Sequence, residues 1–379
     1  MAWADGLVYL NTPASVARAV QLDPGNASYR GLLAEHEEGN GKDPKPGLLI
    51  ATRLSPVESR YWERIAFRQE MERDYDHAEE SLLHAAETDH LFAPRWALAN
   101  YYLRRGNTEK LWVWITKSLE VAPPEPEAIF RMAWSVTQDG AKIRRFLPPG
   151  RAPLQRYLHW LVDNQMVDAA KGPALELSPQ STAADLPTLL AYCEQAANAD
   201  VRTALLVWNA LCTRHLLPYA AIAPEQGQVV TDPTFQFAGT GRGFSWELSR
   251  QPGISEYLAG DRDGVIVELR GRQAERSMLL QQRIPVFGKS RYKLSWEYRL
   301  TGNRGATGLH WEIIDQIRDR NILEGAAPLD ATEWRTDEAV FESQLDMAPR
   351  LALIYHREPG MVPWEGTVYL RSMRMERTQ

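Results

Sequence analysis

The chain has no run of about 18 apolar residues, so nothing in it reads as a membrane-crossing helix. A charged leader followed by a short apolar stretch and a cleavage site is also missing, so no signal peptide is legible. Cysteine is scarce: Cys193 and Cys212 are the only two. They fall in neighbouring predicted helices and read either as a bridge or as two buried thiols, which leaves the redox compartment open. The eight histidines are scattered, and none stands at ligand spacing with a carboxylate or cysteine. His77 and His84, seven apart, read as surface residues of one helix. The run "GTGRG" (239–243) does not open a helix, so it reads as a turn and no phosphate cradle is present. No Ser, His and Asp or Cys and His arrangement stands out, and apolar helices would expose a cysteine nucleophile poorly. The balance of 43 basic and 49 acidic residues leaves a net charge of −6, without the basic footprint of a nucleic-acid binder. It does not suit an anionic membrane surface either.

What remains is an ordinary globular composition, 44% apolar and 24% charged, with an unusual 13 tryptophans. At 379 residues, two or three domains are expected. The first half repeats itself. "AVQLDPGNASYRGLLAE" (19–35) aligns without a gap to "ATRLSPVESRYWERIAF" (51–67), pairing Pro24 with Pro56, Tyr29 with Tyr61 and Ala34 with Ala66. Trp62 recurs as Trp96, and "AIFRMAWSVTQDG" (128–140) continues the series. A period near 34 with alternating helices resembles the tetratricopeptide repeat. Small residues such as Ala66, Ala78 and Ala99 allow helices to approach, and Pro24, Pro56, Pro94 and Pro126 are expected to stop the second helices. Because one such helix pair cannot bury both faces, neighbours must stack. Residues 1–142 are therefore read as the repeat array. Residues 143–226 are read as its irregular continuation, cut into short helices by Pro148, Pro149, Pro153, Pro173 and Pro179. Ser15–Leu22 already reads as the second helix of a repeat. That abrupt start leads to the expectation of an upstream anchor or targeting segment missing from this chain.

From about residue 227 to 379 the period changes to two. Residues 264–271, 277–286, 291–300, 307–314, 350–358 and 366–376 read as strands, and Gly, Pro, Asn and Asp punctuate them. Many short strands in about 150 residues predict an antiparallel β-sandwich or jelly roll. "DPTFQFAGTGRGFSWEL" (232–248), "FGKSRYKLSWEYRL" (287–300), "ATEWRTDEAVFE" (331–342) and "EGTVYLRSMRM" (365–375) follow in the order of galactose-binding-like carbohydrate-binding modules. The segment resembles that family, and the chain as a whole resembles bacterial repeat proteins associated with envelope polysaccharide. The resemblance implies an extracytoplasmic (periplasmic or cell-surface), glycan-related role.

Alternation places Tyr292, Leu294, Trp296 and Tyr298, and likewise Leu309, Trp311 and Ile313, on a core face. Glu268, Arg270, Gln281, Arg283, Glu297, Arg299, His310 and Glu312 fall on the opposite one. Those polar groups read either as a sugar-binding carpet or as a solvated face laced with ion pairs. Tyr257, Trp334 and Trp364 lie in or beside turn-rich segments and read as loop aromatics that stack on glycan, or, for Trp364, as a cap on the end of the sandwich. The glycan-binding candidates are thus Trp364, Trp334, Tyr257, Arg299, Glu297, His310 and Glu312. In the array, Tyr61, Arg64, Arg68, Arg95, Asn100 and Arg104 read either as a surface facing a protein partner or as a solvated helix face. Asp261 and Asp263 in "GDRDG" read as a turn or as a structural calcium site; no other cofactor is expected. The expected function is a non-enzymatic scaffold or adaptor, with helices binding protein and the sandwich binding glycan. A self-assembling structural subunit is the alternative. A polysaccharide-active enzyme is a third reading, which would need two carboxylates across a cleft, with Glu297 and Glu312 as the pair.

Overall fold

The computed structural model describes residues 2–121, 126–260, 264–303, 305–323 and 327–378. It shows an α-helical region followed by an antiparallel β-sandwich. The chain forms two compact units, Met1–Arg156 and Tyr157–Gln379.

The first unit holds α1 (Ala2–Tyr9), α2 (Pro13–Leu22), α3 (Ala27–Gly39), α4 (Lys45–Leu54), α5 (Ser59–Met71), α6 (Tyr75–Thr88), α7 (Phe92–Arg104), α8 (Thr108–Glu120), α9 (Glu127–Thr137) and α10 (Gly140–Arg145). Polar caps start several of them. Asn26 accepts from the backbone N–H groups of Ser28 and Tyr29, and Asn107 accepts from that of Lys110. Each helix packs on its neighbour in the chain through small residues, and Ala34, Ala51, Ala66, Ala78 and Ala99 are all buried. Pro24 and Pro56 follow α2 and α4 as expected. Pro94 instead sits in the first turn of α7, where its missing N–H costs nothing.

Gly31 on α3 faces Tyr61 on α5, and a Cβ at Gly31 would overlap the tyrosine ring. Gly31→Ala is therefore expected to destabilise the first unit by about 1–2 kcal/mol, overpacking outweighing the gain in helix propensity. Urea unfolding followed by circular dichroism checks this, and an unchanged midpoint would refute it.

The second unit begins within α11 (Arg151–Asp163) and continues through α12 (Val167–Leu177), α13 (Leu186–Ala199) and α14 (Val201–Thr213). Pro153 and Pro173 do not cut this region: the first lies in the opening turn of α11 and the second inside α12. Cys193 and Cys212 are free, buried thiols, and burial pushes both pKa values up, that of Cys212 to about 12. α13 and α14 group with the sandwich rather than with the array. The reason is an aromatic cluster: the buried Trp208 of α14 stacks on Tyr219 at 5.8 Å and meets Phe244 edge-on at 5.7 Å.

The sandwich comprises β1 (Glu247–Leu248), β2 (Ile254–Gly260), β3 (Gly264–Arg270), β4 (Arg276–Arg283), β5 (Ser290–Gly302), β6 (Leu309–Asp315), β7 (Arg320–Asn321), β8 (Arg335–Ser343), β9 (Arg350–His356) and β10 (Glu365–Thr378). One sheet has the order β1-β4-β9-β6-β7 and the other β2-β3-β10-β5-β8. Their inner faces interdigitate around Trp246, Trp296, Trp311, Tyr292, Tyr298 and Tyr355.

Candidate functional site

Alternation along each strand sends every second side chain outward. On the β2-β3-β10-β5-β8 sheet, register then decides which outward residues stand side by side. Tyr257 of β2 pairs with Ile266 of β3, Ile266 with Tyr369 of β10, and Tyr369 with Arg299 of β5. Trp334, just before β8, lies one residue beyond the Tyr298–Arg335 pair, over Arg299. These residues form one row across the sheet, roughly 19 Å long at the usual strand spacing.

The row is held from several directions. The Arg299 guanidinium lies 4.1 Å from the Tyr369 ring and 5.2 Å from the Trp334 ring. Arg371, also on β10, lies 4.0 Å from the Trp334 ring and donates to Glu297 at 3.0 Å. The Tyr257 hydroxyl donates to Glu268 at 3.2 Å. Arg335 anchors the start of β8 through Asp330 at 2.6 Å and Asp337 at 2.7 Å, which fixes the residue before it. Tyr257 remains 45% exposed, and Trp334 and Tyr369 are partly so. The arrangement offers flat apolar rings beside guanidinium donors and the carboxylate acceptors Glu268 and Glu297.

Of the residues expected to bind glycan, Tyr257, Arg299 and Trp334 thus come together in one row, with Glu297 beside them. Tyr257 sits in the middle of a strand, not in a turn. Tyr369 and Arg371 were not singled out, although alternation in "GTVYLRSM" already put them opposite Val368 and Leu370. The polar carpet splits, because β4 and β6 belong to the other sheet. There His310 and Glu312 bond each other at 2.9 Å, and Glu312 also takes Arg276 at 2.7 Å, so both are committed to partners on their own sheet. Glu297 and Glu312 consequently lie on different sheets, and this pair does not flank a common cleft.

Trp364 is corrected outright: it is 4% exposed and belongs to the sandwich core. Gly302 and Gly366, paired across β5 and β10, leave a slot that its ring fills. The Trp364 backbone is tied on both sides, its N–H to the Tyr355 hydroxyl and its carbonyl to Gln273.

The array residues are also committed internally. Tyr61 is 3% exposed and packs on Gly31, so it is core rather than a partner-facing residue. Arg64 pairs with Glu38 of α3, Arg68 with Glu72, Arg95 with Glu120 of α8, and Arg104 with Glu70 of α5. Asn100 donates to the Trp96 carbonyl of its own helix. Asp261 and Asp263 lie outside the described residues. Among the described residues no group of three or more His, Cys, Asp or Glu is placed to hold a metal, and no helix is long and apolar enough to cross a membrane.

No protein-family model matches the chain, and no curated protein does. Among solved structures it is similar to the CBM22-1 xylan-binding domain from Paenibacillus barcinonensis, at 8% identity and TM-score 0.29, over 41% of this chain and 97% of that one. It is similar to TmCBM61 in complex with β-1,4-galactotriose, at 11% identity and TM-score 0.26, over 39% of this chain and 96% of that one. A third is the Clostridium thermocellum endo-1,4-β-D-xylanase 10B CBM22-1–GH10 pair with xylohexaose, at 15% identity and TM-score 0.26, over 39% of this chain and 28% of that one.

Proposed function

We propose that the β-sandwich is a non-catalytic glycan-binding module and that the tetratricopeptide-type helical array is its scaffold toward a protein partner. The setting of this reading is an extracytoplasmic, polysaccharide-related one, as the sequence resemblance implies. One observation carries the glycan part: Tyr257, Tyr369, Arg299 and Trp334 align in a single row across the outer face of one sheet. Sugar rings present apolar C–H faces that stack on aromatic rings, and paired hydroxyls that need donors and acceptors at the rim. A row of this length suits a chain of sugars better than a single one.

An array of immobilised glycans probed with the full chain tests this reading. At least one polysaccharide is expected to retain the wild-type protein. Trp334→Ala is expected to weaken retention about 10–100-fold, as loss of a large aromatic contact at a binding surface does. Failure of every glycan to bind, or wild-type binding by Trp334→Ala and Tyr369→Ala, would sink the reading.

A further inference from the structure

A second site lies on the other sheet, where α13 approaches it within the same unit. Arg283 of β4 and Arg350 of β9 are direct cross-strand partners. Both line a cavity of about 230 Å³, together with Glu194 of α13, Glu247 of β1, Gln281 and Ser245. Arg283 donates to Asn198 at 2.7 Å, and Arg350 donates to Gln281 at 3.0 Å.

Among the described residues neither guanidinium forms an ion pair, although two carboxylates share the cavity. Those are turned elsewhere: Glu194 faces Arg242 at 3.8 Å, and Glu247 accepts from Gln281 at 2.5 Å. Like charges directly opposite on neighbouring strands are destabilising, and sheltered cations are costly without a counter-charge. The Arg283 pKa is pressed down first by burial and then by the charge of Arg350, which the charges of Glu194 and Glu247 offset only in part. A bound anion would relieve both costs.

We propose that this cavity binds the carboxylate of an acidic sugar of the hexuronate class. The planar carboxylate matches the guanidinium fork, and two adjacent forks hold it from two sides. Glu194, Glu247 and Gln281 then accept hydrogen bonds that the hydroxyls of the sugar ring donate. Inorganic phosphate has no ring hydroxyls to offer those two glutamates, so it gains less in this cavity. The site is separate from the aromatic row, so either can fail without the other.

The test is calorimetric titration of the full chain with glucuronate, glucose, inorganic phosphate and oligogalacturonate. Glucuronate or oligogalacturonate is expected to bind, and glucose and phosphate at least tenfold more weakly. Binding of the monomer alone identifies a free acid sugar as the ligand, and stronger binding of the oligomer that Arg350→Gln removes identifies a uronate within a chain. Arg350→Gln and Arg283→Gln are each expected to lose at least tenfold in affinity, while Leu206→Ala, at an exposed position on α14, leaves it unchanged. Without ligand, Arg350→Gln is expected to melt no lower than wild type, because it removes a like-charge contact, which separates lost binding from lost folding. Glu194→Gln leaves both arginines in place and is expected to weaken binding through the sugar hydroxyls alone. Equal affinity for glucose or phosphate, no heat with either uronate, or wild-type affinity in both arginine variants would overturn the proposal.

Discussion

Trp208→Ala is expected to destabilise the second unit by about 3–5 kcal/mol, the usual cost of removing a fully buried tryptophan. The residue is 0% exposed and joins α14 to the opening segment of the sandwich through Tyr219, Phe244 and Gly243. Gly243 has φ +60°, and a Cβ there would come within 2.7 Å of the Trp208 ring, so the backbone itself lies against the indole. Arg202 of α14 adds a bond to Asp346 at 2.6 Å, and that carboxylate also accepts the Gly288 N–H at 2.9 Å. The helices α13 and α14 are thus part of the sandwich's folding unit. Far-UV circular dichroism and tryptophan fluorescence should move together to lower urea concentration in the variant. Leu206→Ala, at an exposed position on the same helix, should change stability by less than about 0.5 kcal/mol. Equal effects of the two substitutions would contradict this account of the junction.

The second large effect concerns a carboxyl group on the wrong side of a strand. Glu256 of β2 pairs with Val267, so its side chain points toward the inner face. Both of its oxygens are buried and have no hydrogen-bond partner among the described residues. Burial pushes its pKa up to about 8, and the Ser249 N–H, already committed to the Leu279 carbonyl, opposes this only in part. Below the unfolded pKa of 4.5 the group is protonated in both states and costs nothing in charge. Between there and about 8 the unfolded chain ionises first, so stability falls as pH rises through that window. Glu256 borders an open cavity of about 790 Å³, and solvent screening reduces the penalty. Glu256→Gln is accordingly expected to gain about 1–3 kcal/mol at pH 8 and little at pH 4. Melting temperatures of both proteins across that range decide it; a difference independent of pH would show that the carboxyl is not held neutral.

The architecture was legible because both halves repeat a simple period. Pro24 with Pro56 and Tyr29 with Tyr61 mark the helical register, and Tyr292, Leu294, Trp296 and Tyr298 mark a strand with one buried face. The site was legible only in part, because alternation tells which face a residue takes within a strand and not which strands share a sheet. Glu297 and Arg299 were therefore pooled with His310 and Glu312, which register places on the other sheet. Strand β2 was missed because Gly253 and the "GDRDG" run bracket it and make Tyr257 look like a turn residue. Trp364 misled for the opposite reason. Its segment is rich in Gly and Pro, and only the facing of Gly302 and Gly366 across two strands reveals the slot that receives it. Tyr61 is the helical counterpart, since Gly31, on a neighbouring helix, is what buries it. The compact unit that holds the sandwich begins within α11, upstream of the change from helices to strands near 226/227, for the same kind of reason: Trp208 and Phe244 are far apart in sequence and touching in space.

The central claim is that one row of side chains on one sheet grips an extended glycan. Calorimetric titration of the full chain with ladders of gluco-, xylo- and galacto-oligosaccharides tests it most directly. Binding is expected in at least one ladder, with affinity rising as the oligomer lengthens to cover the roughly 19 Å row and levelling off beyond it. In that ladder Trp334→Ala should lose about 10–100-fold, and Tyr257→Ala should shorten the length at which affinity levels off. Affinity independent of length, or a Trp334→Ala protein that binds like wild type, would contradict the account.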